Sequence, residues 1–300
     1  MPEGKAKEEM NISVVISYLV LIAYAVATLF PFTWAILIST VPIKYIDSQG
    51  NERGVNIFDW PPNIKIFPKP SAFGAPLSFE NYKLIFEVVP LYRRWLWNTI
   101  VYAGLLTIGN IILNSLGGYA FARLSFPFKN IWFTLFLATM MVPAQVTMIP
   151  QYNLLVKYGL VNTYTGLFLP KLTNVFGLFL MRQFFLTFPK ELEEAARIDG
   201  SGLLKTYFRI VLPNALPAVS ALAIYTFLGA WNDFQWPLII MSNKEMYTLT
   251  LGLNFFKTSY YTYWQYMMAA SVFMTIPMLI IFLSFQRYFV ETGKAVAVKG

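Results

Sequence analysis

The chain has 300 residues, 57% hydrophobic and only 13% charged, with a net charge of +8 and neither cysteine nor histidine. A soluble domain carries about 25% charged residues, so the composition is that of a membrane protein. The missing residue types exclude disulfides, thiol nucleophiles, Cys or His metal sites and any Ser-His-Asp arrangement. No catalytic residue and no metal site is expected. The basic residues flank apolar runs instead of gathering in one patch, which marks orientation in a bilayer and not nucleic-acid binding.

Residues 12–43, 95–122, 130–156, 210–232 and 258–286 contain no Asp, Glu, Lys or Arg, and 158–181 contains only Lys171. A crossing helix needs roughly 20 apolar residues, so six transmembrane helices are predicted, near 14–40, 97–122, 130–150, 163–186, 211–240 and 264–289. The fold class is an all-α membrane protein. Residues 1–11 form an N-terminal tail, 12–43 the first span, and 44–94 a long connecting segment. A five-helix core covers 95–289, with a polar loop over 187–210, and a tail covers 290–300. The first span is too long for a signal-peptide core and no small-residue cleavage site follows it, so it is expected to be retained.

Six crossings put both termini on one side, together with Lys5, Lys7, Arg123, Lys129, Arg182, Lys190, Arg197, Lys205, Arg209, Arg287, Lys294 and Lys299. The short connections opposite offer only Lys157, Lys244 and Lys257. The positive-inside rule then makes the termini and the 187–210 loop cytoplasmic, in the plasma or inner membrane. The 44–94 segment is extracytoplasmic, aromatic and proline-rich (Pro61, Pro62, Pro68, Pro70, Pro76). It reads either as a surface loop with short interfacial helices, one near Leu77–Phe86, or as a contact for an external partner.

Lys171 is the one charge inside a predicted span, in Leu169-Pro170-Lys171-Leu172-Thr173-Asn174. One reading makes it a cavity-lining cation beside Asn174 and a helix broken at Pro170. The other makes it a lysine snorkelling to the outer interface. Trp231, Asn232, Asp233 and Trp236, near the outer end of the fifth span, are equally open, with Asn232 and Trp236 the pathway candidates. The run Tyr260, Tyr261, Tyr263, Trp264 and Tyr266 fits an interfacial aromatic belt, with stacking on sugar rings as the alternative.

The cytoplasmic loop carries a helical signal. Pro189 suits a helix start, and Glu191, Glu193 and Glu194 follow in the first turns, where the helix dipole favours negative charge. Glu193 and Arg197 stand four apart and are expected to pair on the surface. Leu192, Ala195, Ala196 and Asp199 lie on or beside one stripe, the small alanines permitting close approach of another backbone. Gly200 is placed to end the helix in a left-handed conformation. A second helical run from Leu203 to Leu212 leads to Pro213 and Pro217. On physical grounds alone, this is either an amphipathic connector lying on the membrane or a docking element.

Glu194, Ala195, Ala196, Gly200, Ile210, Leu212 and Pro213 reproduce, at the right spacing, the loop signature of bacterial ABC importer permeases. Leu180 to Phe185, Trp231 to Leu238, Gln286 to Val290 and the ending Ala297-Val298-Lys299-Gly300 extend the likeness. The chain resembles the carbohydrate-uptake branch, specifically the shorter, maltose-type second permease subunit. The resemblance implies a type I importer fold and a coupling helix seated on a cytoplasmic ATPase dimer. Glu194 would make its polar contact, Ala195 and Ala196 the close packing, and Gly200 the turn, with Asp199, Ile210, Leu212 and Pro213 completing the element. It also implies a second permease subunit, an extracytoplasmic solute-binding protein and membrane lipid as partners. No cofactor is expected on this chain; the partner ATPase would hydrolyse ATP with magnesium. Many relatives end Gly-Ala-Val-Lys-Gly, whereas Val296 precedes Ala297 here, so tail contacts are less secure than the loop.

The function implied is transport of a sugar or oligosaccharide through a pathway of which this chain forms half. A cation at Lys171 would favour an acidic or hydroxyl-rich substrate, although a companion subunit can supply most substrate contacts in similar permeases. An ABC importer for a non-sugar substrate is the alternative. An ion-coupled secondary transporter normally carries acidic groups at mid-membrane, and five of the spans have none. A membrane enzyme lacks a nucleophile–base set. The only Gly-Lys pairs, Gly4-Lys5 and Gly293-Lys294, are followed by alanine, not the Ser or Thr of a phosphate-binding loop.

Overall fold

The computed structural model describes residues 12–46, 49–55, 78–257 and 262–297, which form two compact units. The first takes the chain up to Val88 together with Phe256–Phe273; the second takes Val89–Phe255 and the chain from Met274.

In the first unit, α1 (Ile12–Ser39) exposes large apolar side chains along most of its length, as a lipid-facing helix must. The hydroxyls of Ser17, Thr28 and Thr33 donate to carbonyls four residues back, which satisfies them without water. Strands β1 (Lys44–Ile46) and β2 (Glu52–Gly54) pair antiparallel, Lys44 opposite Gly54. This small hairpin is a minor addition to the helical fold; Gly50, at φ +82°, and Asn51 in its connection favour reversal over helix. Helix α2 (Glu80–Val88) matches the short helix expected near 77–86. Asn81 Nδ2 donates to the carbonyls of Ser39 and Val41, both at 2.8 Å, tying α2 to the end of α1. Gln265, at the start of α14 (Trp264–Ala297), donates to the Val55 carbonyl at 2.9 Å. Pro61, Pro62, Pro68, Pro70, Pro76, Tyr260 and Tyr261 lie outside the described residues; Tyr263 and Tyr266 stack on each other, 6.1 Å apart.

The second unit is organised on α3 (Tyr92–Arg123), which packs along α7 (Val175–Thr187) and α11 (Leu216–Trp231). Gly118 permits the α3–α7 approach: a Cβ there would stand 2.7 Å from Met181 Cβ and 2.8 Å from Arg182 N. Between α3 and α7 come α4 (Lys129–Thr139), α5 (Ala144–Lys157), α6 (Tyr164–Phe168) and a 3₁₀ turn, Leu169–Lys171. After α7 follow α8 (Lys190–Ile198), α9 (Leu203–Thr206), a π turn over Tyr207–Val211 and α10 (Leu212–Asn214). Helices α12 (Gln235–Ile240) and α13 (Leu249–Gly252) lie between α11 and α14.

Three predicted spans are single helices long and apolar enough to cross a membrane: α1, α3 and α14. The others are not straight. The 130–150 span is α4 and α5 meeting at 96°, because Pro143 offers no donor and disfavours helix at Val142. The 163–186 span is broken between Leu169 and Asn174, leaving α7 only 13 residues long. The 211–240 span begins at the end of the π turn, bends 77° between Leu203–Asn214 and α11, and ends at Trp231. A short separate helix, α12, follows because Asp233 Oδ1 accepts from Trp236 N at 3.3 Å, a local bond that competes with helix continuation.

Candidate functional site

The polar loop folds as a helical hairpin. Helix α8 follows Pro189, carries Glu191 and Glu193 in its first turn and Arg197 in its last, and so complements its own dipole. It ends in a Schellman arrangement: Ser201 N donates to Ala196 O at 2.9 Å and Gly200 N to Arg197 O at 3.0 Å. Gly200 has φ +74°, the left-handed conformation expected of it. Beyond the turn the helical path runs through α9, widens in the π turn and continues to Pro213.

A buried ion pair anchors this hairpin. Glu193 Oε1 lies 2.7 Å from Arg123 Nε, both side chains being 6% exposed. Tyr119 donates its hydroxyl to Glu193 Oε2 at 3.0 Å, and Arg123 Nη2 donates to the Phe188 carbonyl. The expected surface pair with Arg197 is therefore not formed; Glu193 turns inward, where a cation from the end of α3 meets it. Ala196 is also buried against its own chain, so of the two alanines only Ala195 is exposed. Leu212 packs on the core of Met181, Phe185, Tyr207 and Val211, and Ile210 is half-buried. Glu194, Ala195, Asp199, Gly200 and Pro213 face outward, beside exposed Leu192, Ile198, Leu204 and Phe208.

The second feature is a cavity of about 390 Å³ between α3, the break before α7, and α11. Lys171 Nζ donates to Asp233 Oδ2 at 2.6 Å, and Tyr102 donates its hydroxyl to the same oxygen at 2.7 Å. Asn110 Nδ2 donates to the Lys171 carbonyl at 3.0 Å, which recovers a backbone acceptor freed by the break. Asn174 donates to Asn110 Oδ1, as does Asn114, and Asn174 Oδ1 caps α7 by accepting from Gly177 N. Lys171 and Asn174 thus stand together in the cavity wall. Asn232 and Trp236 do not line it. Asn232 is exposed and donates to the Leu228 carbonyl, whereas Trp236 is buried, its indole donating to Gly166 and Leu167.

Residues 114–292 match the family model described as "Binding-protein-dependent transport system inner membrane component". The chain is 37% identical over 238 residues to the arabinooligosaccharides transport system permease protein AraQ of Bacillus subtilis (strain 168), covering 79% of this chain and 83% of that protein. The chain belongs to this family.

This inner membrane component is also 39% identical over 198 residues to the sn-glycerol-3-phosphate transport system permease protein UgpE of Yersinia pestis bv. Antiqua (strain Antiqua), covering 65% of this chain and 70% of that one. Its fold matches a chain in the crystal structure of a bacterial ABC transporter involved in the import of the acidic polysaccharide alginate. The TM-score is 0.77 at 20% identity, with 96% of this chain and 100% of that chain covered, which gives the type I importer permease fold. The family match takes in both the hairpin and the cavity-forming helices α7 and α11. Membership makes the chain a multi-pass transport component of a membrane. Sequence reasoning overlooked Asn110 and Asn114, one helical turn apart in an otherwise apolar span; that spacing was the available signal. Nothing local in the sequence joined Lys171 to Asp233 or Arg123 to Glu193.

Proposed function

We propose that this inner membrane component is one of two membrane subunits of an ATP-driven importer of sugars or oligosaccharides, coupled to a cytoplasmic ATPase dimer through the Glu194–Pro213 hairpin. One observation carries the reading: Glu194 projects outward beside Glu193, whose buried pairing with Arg123 fixes the helix to α3. A helix held this way passes a displacement at its outer face to α3, and α3 packs on both cavity-forming helices. ATP and magnesium would act on the ATPase. A solute-binding protein would deliver substrate at the opposite face, where residues 44–94 offer a contact, and both termini would be cytoplasmic.

The wall chemistry supports a hydroxyl-rich, uncharged substrate. Lys171 and Asp233 neutralise each other, and Asn110, Thr173, Asn174 and Thr226 add hydrogen-bonding groups. With its cation already paired, this cavity gives an acidic substrate no net attraction. The arabinooligosaccharides in the name of AraQ agree with that polarity, whereas the sn-glycerol-3-phosphate and alginate named for the other two similar proteins are anionic. Uptake of radiolabelled arabinotriose by cells carrying Glu194→Arg tests the coupling role. Transport should fall to background while membrane insertion is unchanged; normal uptake would exclude Glu194 from coupling.

A further inference from the structure

A second concavity, of about 600 Å³, opens at the α3–α4 turn, away from the cavity at Lys171. Arg123, Lys129 and Arg182 all line it. Arg123 is committed to Glu193. Lys129 Nζ donates to the Leu124 carbonyl at 2.8 Å and to Ala122 at 3.4 Å, closing the end of α3. The Arg182 guanidinium carbon lies 4.1 Å from the centre of the Phe133 ring, and its Nε donates to the Phe121 carbonyl at 3.4 Å. Among the described residues no carboxylate pairs with Lys129 or Arg182. Two half-buried cations therefore share a depression without a counter-anion, which is electrostatically costly unless an anion from outside completes it.

The surroundings say what kind of anion. The depression lies where α3 ends and α4 begins, at the edge of two apolar helices. Its rim carries Phe128 and Ile131, 71% and 56% exposed, and Trp132 and Leu135 continue the exposed apolar surface along α4. Phe128 holds φ +59°, an uncommon conformation for a non-glycine residue, which sets its ring outward at the start of α4. A free phosphate would use the cations alone and make no use of the acyl chains that this exposed apolar surface of α4 meets in the bilayer. An amphiphile with a phosphate head and acyl chains uses both, since basic pockets between membrane helices suit anionic headgroups.

We propose that this depression binds the phosphate of an anionic phospholipid, with Lys129 and Arg182 as the ligating cations and the α4 surface carrying the acyl chains. Arg182 also lies next to Met181, where α7 meets Gly118 of α3, so an occupied site would brace that crossing.

The test is lipid retention by the full chain, purified with its partner subunits and examined by native mass spectrometry. Phosphatidylglycerol should be retained in preference to phosphatidylcholine. The double variant Lys129→Gln with Arg182→Gln should bind phosphatidylglycerol roughly 30-fold more weakly, the loss of two charges at a bilayer surface, and each single variant about fivefold more weakly. Arg182→Lys keeps the charge and should retain the lipid near the parent level, and Lys157→Gln, at a different helix end, should change nothing. Equal retention of the two lipids by the parent, or undiminished phosphatidylglycerol on both single variants, overturns the proposal. Displacement of the lipid by excess inorganic phosphate would assign the site to free phosphate instead.

Discussion

Adjacent glutamates in α8 have opposite fates. Glu193 is buried with Arg123 and Tyr119, while Glu194 is exposed. Removing one partner of a buried pair strands the other, at a cost of about 3–5 kcal/mol. Glu193→Gln should therefore lower the thermal unfolding temperature and the yield of folded protein, whereas Glu194→Gln should leave both near the parent and weaken only ATPase copurification. An unchanged melting temperature for Glu193→Gln would remove the anchoring role. Lys171 and Asp233 invite a paired experiment. Asp233→Leu alone should destabilise the chain, and Lys171→Met added to it should restore part of the loss, since it removes the stranded cation while the Tyr102 hydroxyl and the Trp236 amide stay without their acceptor. Uptake should stay impaired in the double variant if the cavity wall carries substrate. Because Lys171 is 38% exposed, water can solvate it when its partner is lost, so the single-variant loss should be smaller than at Glu193.

The hairpin turn is a test at the scale of an element. Gly200 has φ +74° and open space where a Cβ would lie, so a substitution there acts through backbone strain and not through a clash. Left-handed backbone costs an L-residue about 1–2 kcal/mol, least for Asn. Initial uptake rates should therefore run Gly200 above Gly200→Asn above Gly200→Val; equal rates for the Asn and Val variants would dissociate the turn from coupling. At Gly118 the reverse holds, because Met181 and the Arg182 backbone fill the space. Gly118→Val should separate α3 from α7 and lower the thermal unfolding temperature more than Gly200→Val does. The bent spans were half legible. Pro170 announced its break in the sequence, Pro143 was a signal passed over in the straight 130–150 span, and α12 depends on the side chain of Asp233 receiving the Trp236 amide.

For the whole molecule, orientation is open to direct measurement because the chain has no cysteine. A Lys205→Cys variant should react with a membrane-impermeant maleimide only in inverted vesicles, and Lys157→Cys only in right-side-out cells. The opposite result for both would invert the topology. The purified chain without its partners should hydrolyse no ATP, and measurable turnover in an enzyme-coupled phosphate assay would contradict a separate ATPase.

Composition and charge-free runs determined the membrane class and the places of the apolar runs, because the bilayer demands about 20 apolar residues per crossing wherever they occur; among the described residues three helices are long and apolar enough to cross, or five with each bent pair taken as one span. The Glu194-to-Pro213 spacing located the hairpin for the same kind of reason: a helix end and a glycine turn are written locally. Tertiary structure alone decided which glutamate is buried, which polar groups face the cavity and why Lys171 is tolerated. These depend on partners 62 and 70 positions away in the chain, Asp233 for Lys171 and Glu193 for Arg123. Their charges meet only because α3, α7 and α11 pack together, and no short-range pattern in the sequence encodes that meeting.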